Sequence, residues 1–243
     1  MAYSYSKLEC FDYCSKKYQF KYIQFLQEPY GKAAEIGVEI HKCLSDYILH
    51  LANNGLKNDV AYIYTFKHSE NIELFESFKI NYKLPDTITK DNVQTEKFIK
   101  ISKDFISVPE DAPKDSIFFN MAIDLYWVVG NKAYIIDWKS GKNKITDDHQ
   151  LQAYAWGLKI KHPDVHEIEV GFYYLRDHKM SSIILTDFIL PQNQILDKIS
   201  TIENTKLFTV TKDFWKCRSC CFKNSVCSGA GITNKKGVNA LFS

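Results

Sequence analysis

The 243-residue sequence predicts an α/β fold, a mixed β-sheet flanked by helices. Three observations predict it. Two β-rich runs flank Gly130-Asn131, a dipeptide that suits a two-residue antiparallel hairpin. A strand-like run precedes that hairpin and a helical pattern follows it, leading into more strand, so the elements read β-β-β-α-β. The composition, 45% hydrophobic and 25% charged, is that of a chain able to bury a sizeable core, read here as a single domain over 1–243. A formal net charge of +2 is too small to advertise a polyanionic partner, so such a surface must come from local clusters. Candidates are Lys16, Lys17 and Lys21, then Lys139, Lys142 and Lys144, then Lys212, Lys216 and Lys223. No apolar run approaches the ~20 residues of a membrane span, and MAYSYSKLEC does not read as a secretory leader, so a cytoplasmic location and no membrane partner are expected. Seven cysteines in that setting argue for metal or cluster ligation over disulfides.

In chain order, Ser6 and Glu9 have the S-x-x-E spacing of a capping box, opening a helix expected to run to about Phe25. Phe11, Cys14, Tyr18 and Tyr22 fall at helical spacing on it. Core packing accounts for the three aromatics, and Cys10 lies one turn before Cys14. A second helix is expected over Ala33–Leu51 and carries His41; a lone helical histidine is most often structural. Residues 52 to about 91 read as helices and loops, including NIELFESFKINY, and complete a helical part over about 33–91. VQTEKFIKI, from Val93, opens the sheet region of about 92–205.

If Gly130 and Asn131 form the turn, Val129 pairs with Lys132 and Asp124 faces Asp137. The strands are apolar on both faces: Ile123, Leu125, Trp127 and Ile136 on one, Tyr126, Val128, Ala133 and Ile135 on the other. Two carboxylates opposed there are destabilising unless something positive lies between them, which a divalent metal would supply. Alternation puts Lys139 on the same face as Asp137. Two carboxylates and a lysine suit metal-assisted phosphodiester hydrolysis, although an Asp-x-Lys pair alone is more often a salt-bridged face. Thr146 is expected to cap the next helix, with Asp147 and Asp148 in its first turn. Gln150 and Tyr154 are i,i+4 neighbours on it, which a polar rim would also explain. EIEVGFYYL and SSIILTDFIL read as strands, NQILDKISTIEN as a helix. In WKCRSCCFKNSVC, Cys217-x2-Cys220 followed by Cys227 brings thiolates onto one metal centre, zinc or iron–sulfur.

Asp124, then Asp137-Trp138-Lys139, then Gln150-Leu151-Gln152-Ala153-Tyr154 resembles the D…DxK…QxxxY pattern of the RecB-like branch of the PD-(D/E)XK nucleases. That branch includes the RecB and AddB nuclease domains and small CRISPR-associated exonucleases with an iron–sulfur cluster. The resemblance runs from Ser4 to Cys227. It implies a restriction-endonuclease-like core and a Mg2+- or Mn2+-dependent exonuclease acting on DNA, single-stranded or at ends. It further implies Lys139, Asp124, Asp137, Gln150 and Tyr154 as catalytic, with Gln150 and Tyr154 near the scissile phosphate. The metal ligands implied are Asp124, Asp137, the Trp138 carbonyl and His41, the last from the G-x-x-x-H motif Gly37-Val38-Glu39-Ile40-His41. A 4Fe-4S cluster on Cys14, Cys217, Cys220 and Cys227 would staple segments 4–26 and 206–230 together. Glu96 stands where members often carry a supporting glutamate. The chain departs from the pattern at Met121, where Gly is usual, at Ser15, where Pro is usual, and in one extra residue before Cys227. Cys10 is the runner-up to Cys14, and Cys221 a spare for Cys220. The alternative is a non-catalytic nucleic-acid-binding or scaffold subunit of a recombination or spacer-acquisition complex, whose proteins would then be its partners. An intact D…DxK set weighs against loss of catalysis.

Overall fold

The computed structural model describes residues 2–29, 31–141, 147–223 and 225–227. Helices α1 (Tyr5–Tyr13) and α2 (Ser15–Tyr18) and a π-helical turn (Gln19–Ile23) precede α3 (Lys32–Asn54) and α4 (Glu70–Asn81). Strands β1 (Val93–Ile101), β2 (Ser107–Val108), β3 (Phe119–Val129) and β4 (Lys132–Lys139) follow. Then come α5 (His149–Lys161), β5 (Glu167–Tyr174), β6 (Lys179–Leu185), α6 (Ile189–Asn204) and α7 (Phe214–Arg218). Two compact units result: Met1–Ala2 with Gly31–Ile195, and Tyr3–Tyr30 with Leu196–Ser243.

The first unit is built on a six-stranded mixed sheet ordered β2-β1-β3-β4-β5-β6. Gly130, at φ 59°, makes the tight turn that pairs Val129 with Lys132. Every neighbouring pair is antiparallel except β4 and β5, whose parallel pairing requires the crossover that α5 provides. Leu125, Trp127, Ile136, Trp138 and Tyr173 pack into one buried cluster with Ile40, Leu44 and Tyr47 of α3 and Phe75 and Phe78 of α4. Each such side chain contributes about 1.5–3 kcal/mol by burial. Helix α3 outruns its expected end by three residues and stops at Gly55, whose left-handed backbone (φ 65°) lets Leu56 N–H reach the Leu51 carbonyl.

The observed elements differ from those expected at three places in this unit. The short edge strand β2 was not foreseen. Strand β6 ends at Leu185, and the remainder of SSIILTDFIL already feeds α6, where the Asp187 carboxylate accepts the Ile189 N–H. Thr146, the expected cap of α5, lies outside the described residues with Lys142 and Lys144; α5 starts after Asp148. Met121, in place of the usual glycine, is matched by Gly157 of α5: a Cβ there would lie 2.2 Å from the Met121 methyl.

In the second unit the single helix expected from Ser6 to Phe25 is broken at Cys14, whose backbone is extended (φ −167°, ψ 111°). The break is held by Thr209, whose carbonyl accepts from Lys16 N–H and the Ser15 hydroxyl while its N–H donates back to Ser15 Oγ. These bonds replace the intrahelical ones lost at the break. The expected capping box does not form either. The N-cap is Ser4, with no side-chain cap bond. Phe11, Tyr18 and Phe208 pack together here, with Tyr18 stacked on Phe208 at 6.3 Å.

Candidate active site

The hairpin register predicted from Gly130-Asn131 is the one observed, but the β3–β4 ladder stops at Leu125 opposite Ile136, one step before the two acids. The other flank of β3 is also interrupted. Thr95 pairs with Leu125 and Lys97 with Ile123, which puts Glu96 level with Asp124, yet Glu96 is unpaired and left-handed, at φ 48°. A non-glycine residue in that region costs of order 1–3 kcal/mol. The sheet therefore opens on both sides of Asp124, and the freed Asp124 carboxylate accepts Trp138 N–H at 2.8 Å through Oδ2. Its other oxygen lies 3.2 Å from His41 Nδ1 on α3.

Asp137 is 4% exposed, and Lys139, two residues on, brings Nζ to 2.6 Å from its Oδ2. That contact is an ion pair without hydrogen-bond alignment, which leaves Oδ2 a buried oxygen with no aligned donor. Gln150, from the first turn of α5, ties the group together. Its Oε1 accepts from Lys139 Nζ at 3.0 Å, and its Nε2 donates to Asp137 Oδ1 at 3.3 Å and to the Tyr154 hydroxyl at 2.8 Å. The i,i+4 spacing of Gln150 and Tyr154 makes this fork. The Lys139 ammonium also sits 4.7 Å above the Phe172 ring. Phe172 was missed in the sequence because its position depends on β5 pairing with β4 (Asp137 beside Phe172), a non-local pairing with no local signal. Trp138 itself is buried among Phe78, Tyr82 and Tyr173.

Burial pushes the Asp137 carboxyl above the usual range, and the Asp124 charge adds to it; Lys139 and His41 work against both. Burial would lower His41, but its bond to Asp124 and the charges of both acids outweigh it, so the imidazole is raised. Burial, then the charges of Asp137 and Asp124, hold the Tyr154 phenol well above its normal value, and it stays protonated.

Two adjoining carboxylates, one of them buried with an oxygen lacking an aligned donor, suit a small hard cation such as Mg2+ or Mn2+, with His41 as a neutral nitrogen ligand. Among the described residues no three His, Cys, Asp or Glu side chains converge closely enough to hold a metal as they stand. His41 meets Asp124, while Asp137 is engaged by Lys139 and Gln150.

In the second unit Cys14, Cys217, Cys220 and Cys227 line one small cavity of about 10 Å³, roughly the room of one water. Lys16, Lys17, Lys216 and Lys223 line it too. Cys10 and Cys221 are absent from that lining, and the Cys221 thiol instead faces the Glu28 carboxylate at 3.5 Å. The four thiols suit a soft metal or an iron–sulfur cluster, but they would have to part to admit one. Cys43 is buried within the α3–α4 cluster of the first unit.

Residues 2–228 match the family model described as the PD-(D/E)XK nuclease superfamily. A search of curated proteins finds no match. Among solved structures, the chain is similar to one named "Putative exonuclease" from Eubacterium rectale, at 11% identity and a TM-score of 0.53, covering 96% of this chain and 90% of that one. The crystal structure of SSO0001 aligns at 13% identity over 91% of this chain and 83% of that one, with a TM-score of 0.41, too low to bear on the fold.

Proposed function

The chain belongs to the PD-(D/E)XK nuclease superfamily, and from that premise we propose that it is a metal-dependent DNA exonuclease of the RecB-like branch. Its substrate would be single-stranded DNA or DNA ends, in recombination, repair or CRISPR-type processing. The observation that carries the reading is the linked set Asp137, Lys139, Gln150 and Tyr154, in which a buried carboxylate is ion-paired to the lysine and both are held by one glutamine, while Asp124 is fixed by the Trp138 N–H. Asp124, Asp137, the Trp138 carbonyl and neutral His41 would hold Mg2+ or Mn2+. When bound, the metal supplies Lewis-acid stabilisation of phosphate charge and makes water a better nucleophile. Lys139 orients the attacking water and holds or passes its proton at Nζ. Gln150 fixes the direction of that ammonium, and the protonated Tyr154 hydroxyl, accepting from Gln150 Nε2, holds the glutamine in place. Cys14, Cys217, Cys220 and Cys227 would carry a 4Fe-4S cluster with a bracing role. Incubating the protein with end-labelled single- and double-stranded DNA, with and without Mn2+, tests the reading. Mn2+-dependent release of label from an end supports it, and inert DNA under every condition sinks it.

A further inference from the structure

The small net charge conceals a segregation. Within the described residues of the second unit (3–29 and 196–227) there are ten Lys and Arg against six Asp and Glu, whereas 31–195 carries 19 against 23. Several of the six acids are already engaged: Glu28 by Lys17 and Lys21, Asp12 by Lys198, and Asp213 by the first N–H groups of α7. Lys216, Arg218 and Lys223 have no carboxylate partner among the described residues.

Trp215 stands among these cations. Three of the four tryptophans, Trp127, Trp138 and Trp156, are buried, while Trp215 is 68% exposed. Phe214 meets it edge-on at 5.4 Å, and the Arg218 guanidinium lies 5.6 Å from its ring. A second aromatic, Tyr13, has Lys17 and Lys216 each 5.4 Å from its ring, and its hydroxyl donates to the Lys216 carbonyl at 2.7 Å. An open indole face costs free energy unless something covers it, and a surface of unpaired cations selects an anionic cover.

We propose that Trp215, with Lys216 and Arg218, forms a stacking site for a base of single-stranded DNA, with the two cations on the flanking phosphates. A duplex keeps its base faces stacked on one another, so it offers nothing for the indole to cover. This rests on the nuclease reading for its choice of polyanion, and it assigns a substrate-gripping surface to the second unit, whereas Asp124 and Asp137 belong to the first.

The test is a titration of the full chain with oligothymidylate in buffer free of divalent metal, read by tryptophan emission. Because the other tryptophans are buried, quenching reports on Trp215. Trp215→Ala is expected to weaken binding about tenfold, with Trp215→Phe recovering most of it. Lys216→Ala and Arg218→Ala should each lower the slope of log affinity against log salt by about 0.7. Metal-dependent cleavage of bis(p-nitrophenyl) phosphate, which carries no nucleobase to stack and no flanking phosphates, should be unchanged in all four variants. Wild-type affinity in Trp215→Ala overturns the proposal, as does quenching by anionic phospholipid vesicles with none by oligothymidylate. If wild type cleaves nothing while Trp215-dependent binding persists, the nuclease reading falls and this site stands.

Discussion

Lys139 and Asp137 are counter-ions to each other within one strand, Nζ to Oδ2 at 2.6 Å, at a position where the carboxylate has almost no access to water. An acid buried beside a second acid is tolerable because this ammonium sits against it. Conversely, the lysine is held by the group that would pair with a metal, so cation binding and lysine positioning are coupled.

Asp124→Ala, Asp137→Ala and Lys139→Ala are each expected to lower cleavage of end-labelled DNA by about 100-fold or more, with unchanged far-UV circular dichroism. A wild-type rate in any of them at saturating Mn2+ removes that residue from the mechanism. Asp137→Asn should leave the metal-free melting temperature unchanged or raise it, because a buried, repelled charge disappears. Mg2+ should then stabilise the wild type and not this variant.

For His41→Ala, metal affinity and activity should fall together, by roughly ten- to a hundred-fold. Superimposable Mn2+ titrations of variant and wild type would leave His41 as a structural partner of Asp124.

Anaerobically purified protein is expected to be brown, a sign of thiolate-bound iron. Cys14→Ser should remove the colour and lower the melting temperature; Cys43→Ser, in the other unit, should keep the colour. Elemental analysis that finds one zinc would replace iron with zinc at the same thiols.

Burial alone would raise Glu28, but hydrogen bonds and charges from Lys17 and Lys21 overcome it and hold the carboxyl down at about 2. A depressed carboxylate contributes stability above its unfolded value and loses it as pH falls. Its share is therefore present above about pH 4.5 and lost on acidification toward 2. Glu28→Gln should melt lower than wild type at neutral pH, with the gap closing across that window. The groups are partly solvated, so the gap at neutral pH should be under about 1 kcal/mol. A gap independent of pH would contradict the assignment.

Glu96→Gly relieves a left-handed backbone and should raise stability by up to about 1 kcal/mol, measured by urea unfolding. A lower midpoint would mean the Glu96 side chain contributes more than its backbone costs.

Much of the site was legible because its elements are local. Gly130-Asn131 fixed the register of β3 on β4, and the spacing of Gln150 and Tyr154 placed both on one face of α5. What stayed hidden depends on distant partners. The β1–β3 pairing skips Asp124 because of a left-handed conformation at Glu96, a residue with no glycine to advertise it. Cys14 leaves the helix because Thr209, nearly two hundred residues away, offers competing hydrogen bonds. Trp215 carries no signal in the sequence because the exposure of one tryptophan among four is a property of packing and not of spacing.

The second unit is assembled from Tyr3–Tyr30 and Leu196–Ser243, and this sets a timetable for biosynthesis. At roughly 5–20 residues per second, the opening segment waits about ten to forty seconds on the ribosome before Thr209 and the later cysteines emerge. During that interval Cys14 lacks Thr209 and the three later cysteines, and Phe11 and Tyr18 lack Phe208. The newborn chain therefore exposes a thiol and aromatic surface early, while the sheet can already close. Delivery of any metal to the four thiols must come after the whole sheet has been made.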